Sequence, residues 1–395
     1  MKVYSKFDES LLGEAEGSQL ESEQVKDRVV NPLRIGRILM ESLRNLRNDR
    51  DMINVYSNET GKTILSCRQE IDTSILFLEI SGIGNIYEKY GERSVSSRSF
   101  TMDRVAFLDE GMPVFSMVNQ IVRNLTDGKS NLICHSPDAP LTTMYLAEKI
   151  TDAYEESNSI FFHIVEEWTG IKEKIDKFSE QAYIWGSEEH INQTGKLING
   201  RQVFRITSNF PVIVRNYSSI SQALDQIMQM SFNSISNSGL RAQVYFVQDQ
   251  DFIFFRNQLT ELLKRKAENY YGPESSVNYF PSKSHSENTR GKVASLLHEG
   301  WDYINDLPDT VHVLVDQYGE IPDQVQMLDG PVIQIMHYSS MMDCAKRIER
   351  MDFGDRINVF GDSLNDLEFL REFFGSQKKV INGRSVNEIM SDFIV

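Results

Sequence analysis

From Val105 onward, short apolar runs of strand length alternate with stretches whose apolar residues recur at helical spacing. The strand-like runs fall at 105–108, 131–134, 160–165, 182–185 and 202–206, and helical patterns occupy 115–125, 141–154, 171–178 and 188–197 between them. Strands joined by helices of that length need crossover connections, which come in one hand and build a mostly parallel sheet. The pattern predicts a dinucleotide-type α/β domain over 105–208. A second alternation gives strands at 211–214, 243–247, 311–316, 331–337 and 357–360 with helices at 220–230, 252–270, 291–300 and 341–351, and predicts another parallel-sheet α/β domain over 209–376. Ahead of both, 31–104 reads as a helical segment with helices over 32–46 and 67–90. Residues 1–30 read as a flexible acidic arm, and 377–395 as a C-terminal return segment. The polar stretch 272–289 is longer than an ordinary connector.

The chain has 395 residues, enough for two or three cores, and its 40% hydrophobic and 25% charged content is ordinary for a globular protein. A net charge of −16 disfavours nucleic acid and anionic membrane as partners. Cys67, Cys134 and Cys344 are three in number and widely spaced, which gives neither a disulfide framework nor metal-ligand spacing. The first residues hold no apolar core of signal-peptide length and no later run reaches the ~20 apolar residues of a membrane span. A cytoplasmic protein is expected.

Local motifs point to a family. Arg37-Ile38-Leu39, Asn58-Glu59-Thr60-Gly61-Lys62 with Glu70-Ile71, the turn Leu125, Gly128 and Asn131, and Pro140 occur in that order. Gly186-Ser187, the run 203–214 around Pro211, Gly330-Pro331, the helix 343–347 and Asn382 follow. Together they resemble the aldehyde dehydrogenase superfamily over roughly residues 33–385. The resemblance implies two parallel-sheet α/β domains with an N-terminal helical segment. In active members, Gly-Ser borders the pyrophosphate of NAD(P) beside a helix N-terminus, where backbone N–H groups favour an anion.

At the positions that carry chemistry, however, the same resemblance implies losses. Ala242 stands where the family has its nucleophilic cysteine, and a thiolate is what presents a hydride to the nicotinamide. Arg205 stands in place of the general-base glutamate, and a guanidinium accepts no proton. Gly111, in Asp109-Glu110-Gly111-Met112-Pro113, replaces the asparagine of the oxyanion site, a donor whose loss costs ~10²-fold or more in rate. His135 and Met327 replace the lysine and glutamate that bond the two riboses. The short chain and divergent motifs are most similar to the acyl-CoA reductases of the bioluminescence type, which still require a cysteine near 239–242.

Several readings stay open at this point. Arg205 and Arg241 either bind an anionic group in the vacated pocket or pair with acids such as Asp109 and Glu110. Ser238 reads as a turn residue with no adjacent base. Gly361-Asp362-Ser363-Leu364-Asn365-Asp366 resembles the metal-binding motif of haloacid-dehalogenase-type phosphatases, but Asp316, the only candidate nucleophile, lies under fifty residues upstream and leaves no room for that fold's core, so the motif reads as a helix N-cap. The seven histidines form no metal-ligand pair, so no metal is expected. The cluster Tyr245, Phe246, Phe252, Phe254 and Phe255 reads as core. The combined expectation is a non-catalytic aldehyde dehydrogenase-like protein that scaffolds or regulates a protein partner, such as an active relative or pathway enzyme. It is expected to be homo- or hetero-oligomeric and to need no cofactor. The alternative is an NAD(P)-dependent acyl-thioester reductase or aldehyde dehydrogenase with a relocated cysteine.

Overall fold

The computed structural model describes residues 2–15, 28–90, 98–100, 104–108, 112–129, 131–135, 139–153, 160–163, 180–186, 188–196, 198, 202–206, 210–215, 223–224, 226–227, 230–231, 242–266, 283–304, 312–316, 332–351, 353, 356–361 and 363–383. The chain divides between Thr207 and Ser208 into two compact units.

The first unit opens with an antiparallel hairpin of β1 (Lys2–Tyr4) and β2 (Leu11–Glu14), where a flexible arm was expected. Val3 and Ala15 are buried and pack with Leu12, Leu141 and Met144, which ties the hairpin down despite its acidic composition. A second antiparallel pair joins β3 (Arg28–Val30) to β4 (Arg98–Phe100). Between them run α1 (Pro32–Asn48), α2 (Arg50–Thr60), α3 (Ile64–Phe77), a π turn (Leu78–Gly82) and α4 (Ile83–Tyr90). Each start is written in the sequence. Asn31 accepts from Arg34 N at 3.0 Å, Asp49 accepts from the amides of Asp51 and Met52, and Thr63 accepts from Ser66 N. Gly61, at φ 71°, ends α2 in the left-handed conformation that glycine adopts without strain. The expected single helix over 67–90 is therefore two helices joined by a π turn.

The unit's sheet contains β5 (Arg104–Phe107), β6 (Asn131–Cys134), β7 (Ile160–His163), β8 (Gln181–Trp185) and β9 (Gln202–Ile206), all parallel, in the order β7-β6-β5-β8-β9. The helices α5 (Pro113–Asp127), α6 (Pro140–Ala153) and α7 (Glu188–Gly195) connect its strands. The chain order reverses between β5 and β8, the switch point at which sheets of this kind open a crevice outside their carboxyl ends. The expected helix 171–178 lies outside the described residues.

The second unit holds a seven-stranded sheet, β12-β13-β14-β11-β10-β15-β16, parallel throughout except for the β12–β13 pair. Its strands are β10 (Val212–Val214), β11 (Val244–Gln248), β12 (Asp302–Tyr303), β13 (His312–Asp316), β14 (Val332–Tyr338), β15 (Arg356–Phe360) and β16 (Lys379–Asn382). Central strands such as β10 are buried at every residue, as a parallel sheet covered on both faces requires. The helices α8 (Asp249–Lys266), α9 (Lys283–His298), α10 (Met341–Arg350) and α11 (Leu364–Phe374) follow. Helix α9 begins eight residues before the expected 291, inside the stretch read as loop. Its first turns, Lys-Ser-His-Ser-Glu-Asn-Thr-Arg, carry no apolar periodicity, and Val293 and Leu296 further along reach the core.

Candidate functional site

The motif residues of the first unit act as helix anchors. Glu59, at the end of α2, accepts from Leu141 N and Thr142 N, each at 3.0 Å, with its two carboxylate oxygens. These are first-turn amides of α6, which Pro140 opens. Glu70 does the same for α5: one oxygen accepts from Phe115 N at 3.0 Å, and the other receives Lys62 Nζ at 2.6 Å together with the Tyr56 hydroxyl. Negative charge at a helix N-terminus satisfies orphan amides and complements the helix dipole. Burial, followed by the nearby charge of Glu70, pushes the Tyr56 hydroxyl well above its ordinary range. Sequence comparison identified Glu59, Lys62 and Glu70 without revealing these roles. Arg37 is exposed on α1.

At the switch point, Gly186 follows β8 with φ 142° and is buried, and α7 begins two residues later. His135 ends β6 on the far side of β5, wholly buried. Arg205 lies on β9 opposite Ile184 of β8, so the backbones of Gly186, His135 and Arg205 share the carboxyl edge of one sheet. Gly111 and Ser187 lie outside the described residues, as do Asp109 and Glu110. Trp185, the last residue of β8, is 4% exposed, and its indole N–H donates to Gln120 Oε1 of α5 at 3.0 Å. Gln120 in turn donates to Asn124 Oδ1 at 2.9 Å. Arg104, on β5 in register with Gln181, donates to Gln181 at 2.9 Å and Asp127 at 2.6 Å, and the guanidinium groups of Arg104 and Arg123 lie 5.4 and 5.6 Å from the centroid of the Tyr183 ring. Composition offered no sign of this buried polar ladder.

In the second unit, Ala242 is completely buried just ahead of β11. Its carbonyl accepts from Ser231 Oγ at 3.0 Å and from the Tyr245 hydroxyl at 3.1 Å, and those two hydroxyls also bond to one another. Burial raises the Tyr245 hydroxyl far above its ordinary range, so it stays a neutral donor. Ser238, Gly239, Arg241, Met327, Gly330 and Pro331 lie outside the described residues. Of the expected aromatic core, Tyr245, Phe246, Phe252 and Phe255 are buried and Phe254 is half-buried.

Of the phosphatase-like motif, Asp362 lies outside the described residues, and the described residues do not bring the rest to Asp316. Asp366 forms an ion pair with Arg215, and Ser363 caps α11 by accepting from Asp366 N at 3.4 Å. Asp316 is occupied by Arg347 at 3.0 Å, and its strand lies four positions from β15, about 19 Å at ordinary strand spacing. Among the described residues no group of three His, Cys, Asp or Glu side chains is arranged to hold a metal ion.

All three cysteines are buried and free. Burial pushes the Cys134 thiol up to about 12 and raises Cys67 and Cys344 further, against opposing pulls from Lys62 and Arg347. None is a thiolate near neutral pH.

No family model matches the chain, and no curated protein matches it in sequence. Solved structures do match. A NAD-dependent benzaldehyde dehydrogenase from Corynebacterium glutamicum superposes with a TM-score of 0.77 at 15% identity, covering 100% of this chain and 93% of that one. The fold is that of the aldehyde dehydrogenases. Aldehyde dehydrogenase 21 from Physcomitrella patens, in complex with the reaction product succinate, gives a TM-score of 0.81 at 14% identity over 98% of this chain and 87% of that one. Lactaldehyde dehydrogenase from Escherichia coli gives 0.74 at 15% identity, with 98% and 87% covered. Identities this low carry the architecture alone, and function has to be argued from site residues. Among the described residues, no helix is long and apolar enough to cross a membrane.

Proposed function

We propose that this chain is a non-catalytic aldehyde dehydrogenase-like protein that acts by binding, as a scaffold or regulator of a protein partner in a reducing cytosol. The state of the thiols carries the reading. Thioester or hemithioacetal chemistry on this fold requires an accessible thiolate, and each of the only three cysteines is buried with its thiol held protonated. Ala242, where the resemblance puts the nucleophile, is a packed alanine whose carbonyl two hydroxyls hold in place. The family's NAD(P) and any acyl-CoA reductase activity would belong to a chain with a relocated cysteine, and no thiol here has the environment for that role.

The test is thiol labelling at pH 7 with a disulfide reagent, alongside turnover assays with NAD and NADP, aldehydes and acyl-CoA thioesters. All three thiols are expected to react only when the protein is unfolded, with no turnover. One thiol that labels rapidly in the native protein, is protected by an acyl-CoA or aldehyde, and accompanies turnover would establish the relocated-cysteine enzyme instead.

A further inference from the structure

We infer that α3, the π turn and α4 present a self-complementary face through which two copies of this chain pair about a two-fold axis at Leu76. Four large apolar side chains stand out from this stretch: Leu65 is 44% exposed, Leu76 42%, Ile80 67% and Tyr87 49%. Exposed apolar residues scattered singly are ordinary on a protein surface, but these recur in register. Leu65 and Leu76 are three α-helical turns apart, so both project from one side of α3. Ile80 follows one turn later in the π turn, exposed Gly84 one turn beyond it, and Tyr87 closes the row on α4. A Cβ at Gly84 would meet nothing, which leaves a bare notch of backbone in the row for the close approach of another chain. The side of the same helices turned inward carries Ile71, Leu78 and Ile86, all fully buried.

Charge selects a second copy as the occupant. At a net charge of −16 the chain repels its own copies, and a basic partner is drawn to acidic surface. This face is close to neutral. Its acids Asp72 and Glu79 are paired with Arg47 and Arg44 of α1, and Lys89 stands beside Glu88. An equally acidic copy therefore meets little repulsion here, while a basic partner finds no excess of negative charge. The spacing of the row is symmetric as well. Leu76 is its midpoint, eleven residues from Leu65 and eleven from Tyr87. Antiparallel pairing about a two-fold axis at that point sets Leu76 on its own copy and Leu65 against Tyr87 at both ends, and it lays exposed Arg68 across the Gly84 notch beside Glu88. From Leu65 to Tyr87 the row runs about 33 Å at the rise of a helix. One helix wide, it belongs with the small interfaces and with micromolar affinity. An active and an inactive chain would form this dimer alike, so it stands or falls apart from the non-catalytic reading.

Sedimentation velocity of the full chain from ~1 to ~200 μM tests this, with a monomer–dimer equilibrium expected inside that range. Leu76→Glu and Ile80→Glu should each weaken the dimer about thirtyfold or more, because a two-fold axis makes every substitution count twice. Ile253→Glu, at an apolar residue of α8 that is 68% exposed, should leave the equilibrium unchanged. All four positions concerned are at the surface or tested for folding by circular dichroism. The three native cysteines are buried, so a Leu76→Cys protein oxidised with copper phenanthroline should form a disulfide-linked dimer through the added thiol alone. A wild type that stays monomeric at ~200 μM would overturn the inference. So would a dimer that keeps its affinity in both glutamate variants, since it would form through another face, or a dimeric Leu76→Cys protein that does not cross-link.

Discussion

The helical segment around Glu59 and Glu70 and the residues around Ala242 use polar atoms in opposite ways. In the first, a carboxylate and an ammonium are completely enclosed, with Lys62 and Glu70 2.6 Å apart, and every partner is a helix amide or a neighbouring side chain. In the second, where the resemblance places the chemistry, neutral hydroxyls of Ser231 and Tyr245 hold a backbone carbonyl over a methyl group. A buried charged pair fixes helices at the first site, and neutral hydroxyls hold a backbone carbonyl at the second. Glu59, Lys62 and Glu70 thereby anchor α5 and α6.

Replacing Glu70 by alanine should break this comparison most severely. The change strands the Lys62 ammonium, the Tyr56 hydroxyl and the Phe115 amide together, and removing one partner of a buried pair costs about 3–5 kcal/mol. Urea denaturation should show a loss of that size. The double variant Lys62→Met with Glu70→Leu should recover much of it, because replacing both charges by apolar groups removes the uncompensated ion. A Glu70→Ala protein within about 0.5 kcal/mol of wild type would mean that the triad does not anchor α5.

The inner strands of both sheets are legible in the sequence because strands buried on two faces must be apolar throughout, as in Val212-Ile213-Val214, and the helices between them keep a helical period, whereas the short edge strands β12 and β16 are not. The π turn and the start of α9 are not legible. A Cβ at Gly82 would meet Leu78 at 3.0 Å and Val122 at 3.3 Å, the latter a tertiary neighbour that no local pattern announces, and the first turns of α9 carry no apolar residue to signal a helix. The terminal hairpin is hidden for a related reason, since only Val3 and Ala15 of it reach a core. At the candidate site, Ala242 and Arg205 stand out as residue types that cannot do the family's chemistry. What Ala242 packs against is invisible, because the clamp joins residues brought together by the strand–helix packing of the second unit.

Alkaline titration sharpens the contrast through the buried thiols. Cys134 has a folded value of about 12 against an ordinary 9.0, so between those pH values the unfolded chain has released a proton that the folded chain still holds. Stability then falls as pH rises, by about 1.4 kcal/mol per pH unit for this one thiol, and it is unaffected below the ordinary thiol value. Denaturation midpoints followed from pH 8 to pH 11 should therefore fall less steeply in Cys134→Ala than in wild type. Parallel curves would indicate a thiol that ionises in the folded protein.

The smallest effect belongs to the clamp. Tyr245→Phe removes a hydroxyl that donates to the Ala242 carbonyl at 3.1 Å and bonds Ser231, while Ser231 keeps its own 3.0 Å bond to the same carbonyl. One acceptor remains satisfied, so the loss should be near an ordinary buried hydrogen bond, about 1 kcal/mol. A more informative readout comes from adding a reporter thiol. In an Ala242→Cys protein the new sulfur should be as silent to a disulfide reagent as the three native thiols, and adding Tyr245→Phe should quicken its labelling through local opening without unfolding the sheet. Rapid labelling of Ala242→Cys alone would mean that the turn is open in solution and that position 242 is an emptied pocket, in which case the contrast with the anchored helices would reflect side-chain identity alone and not packing.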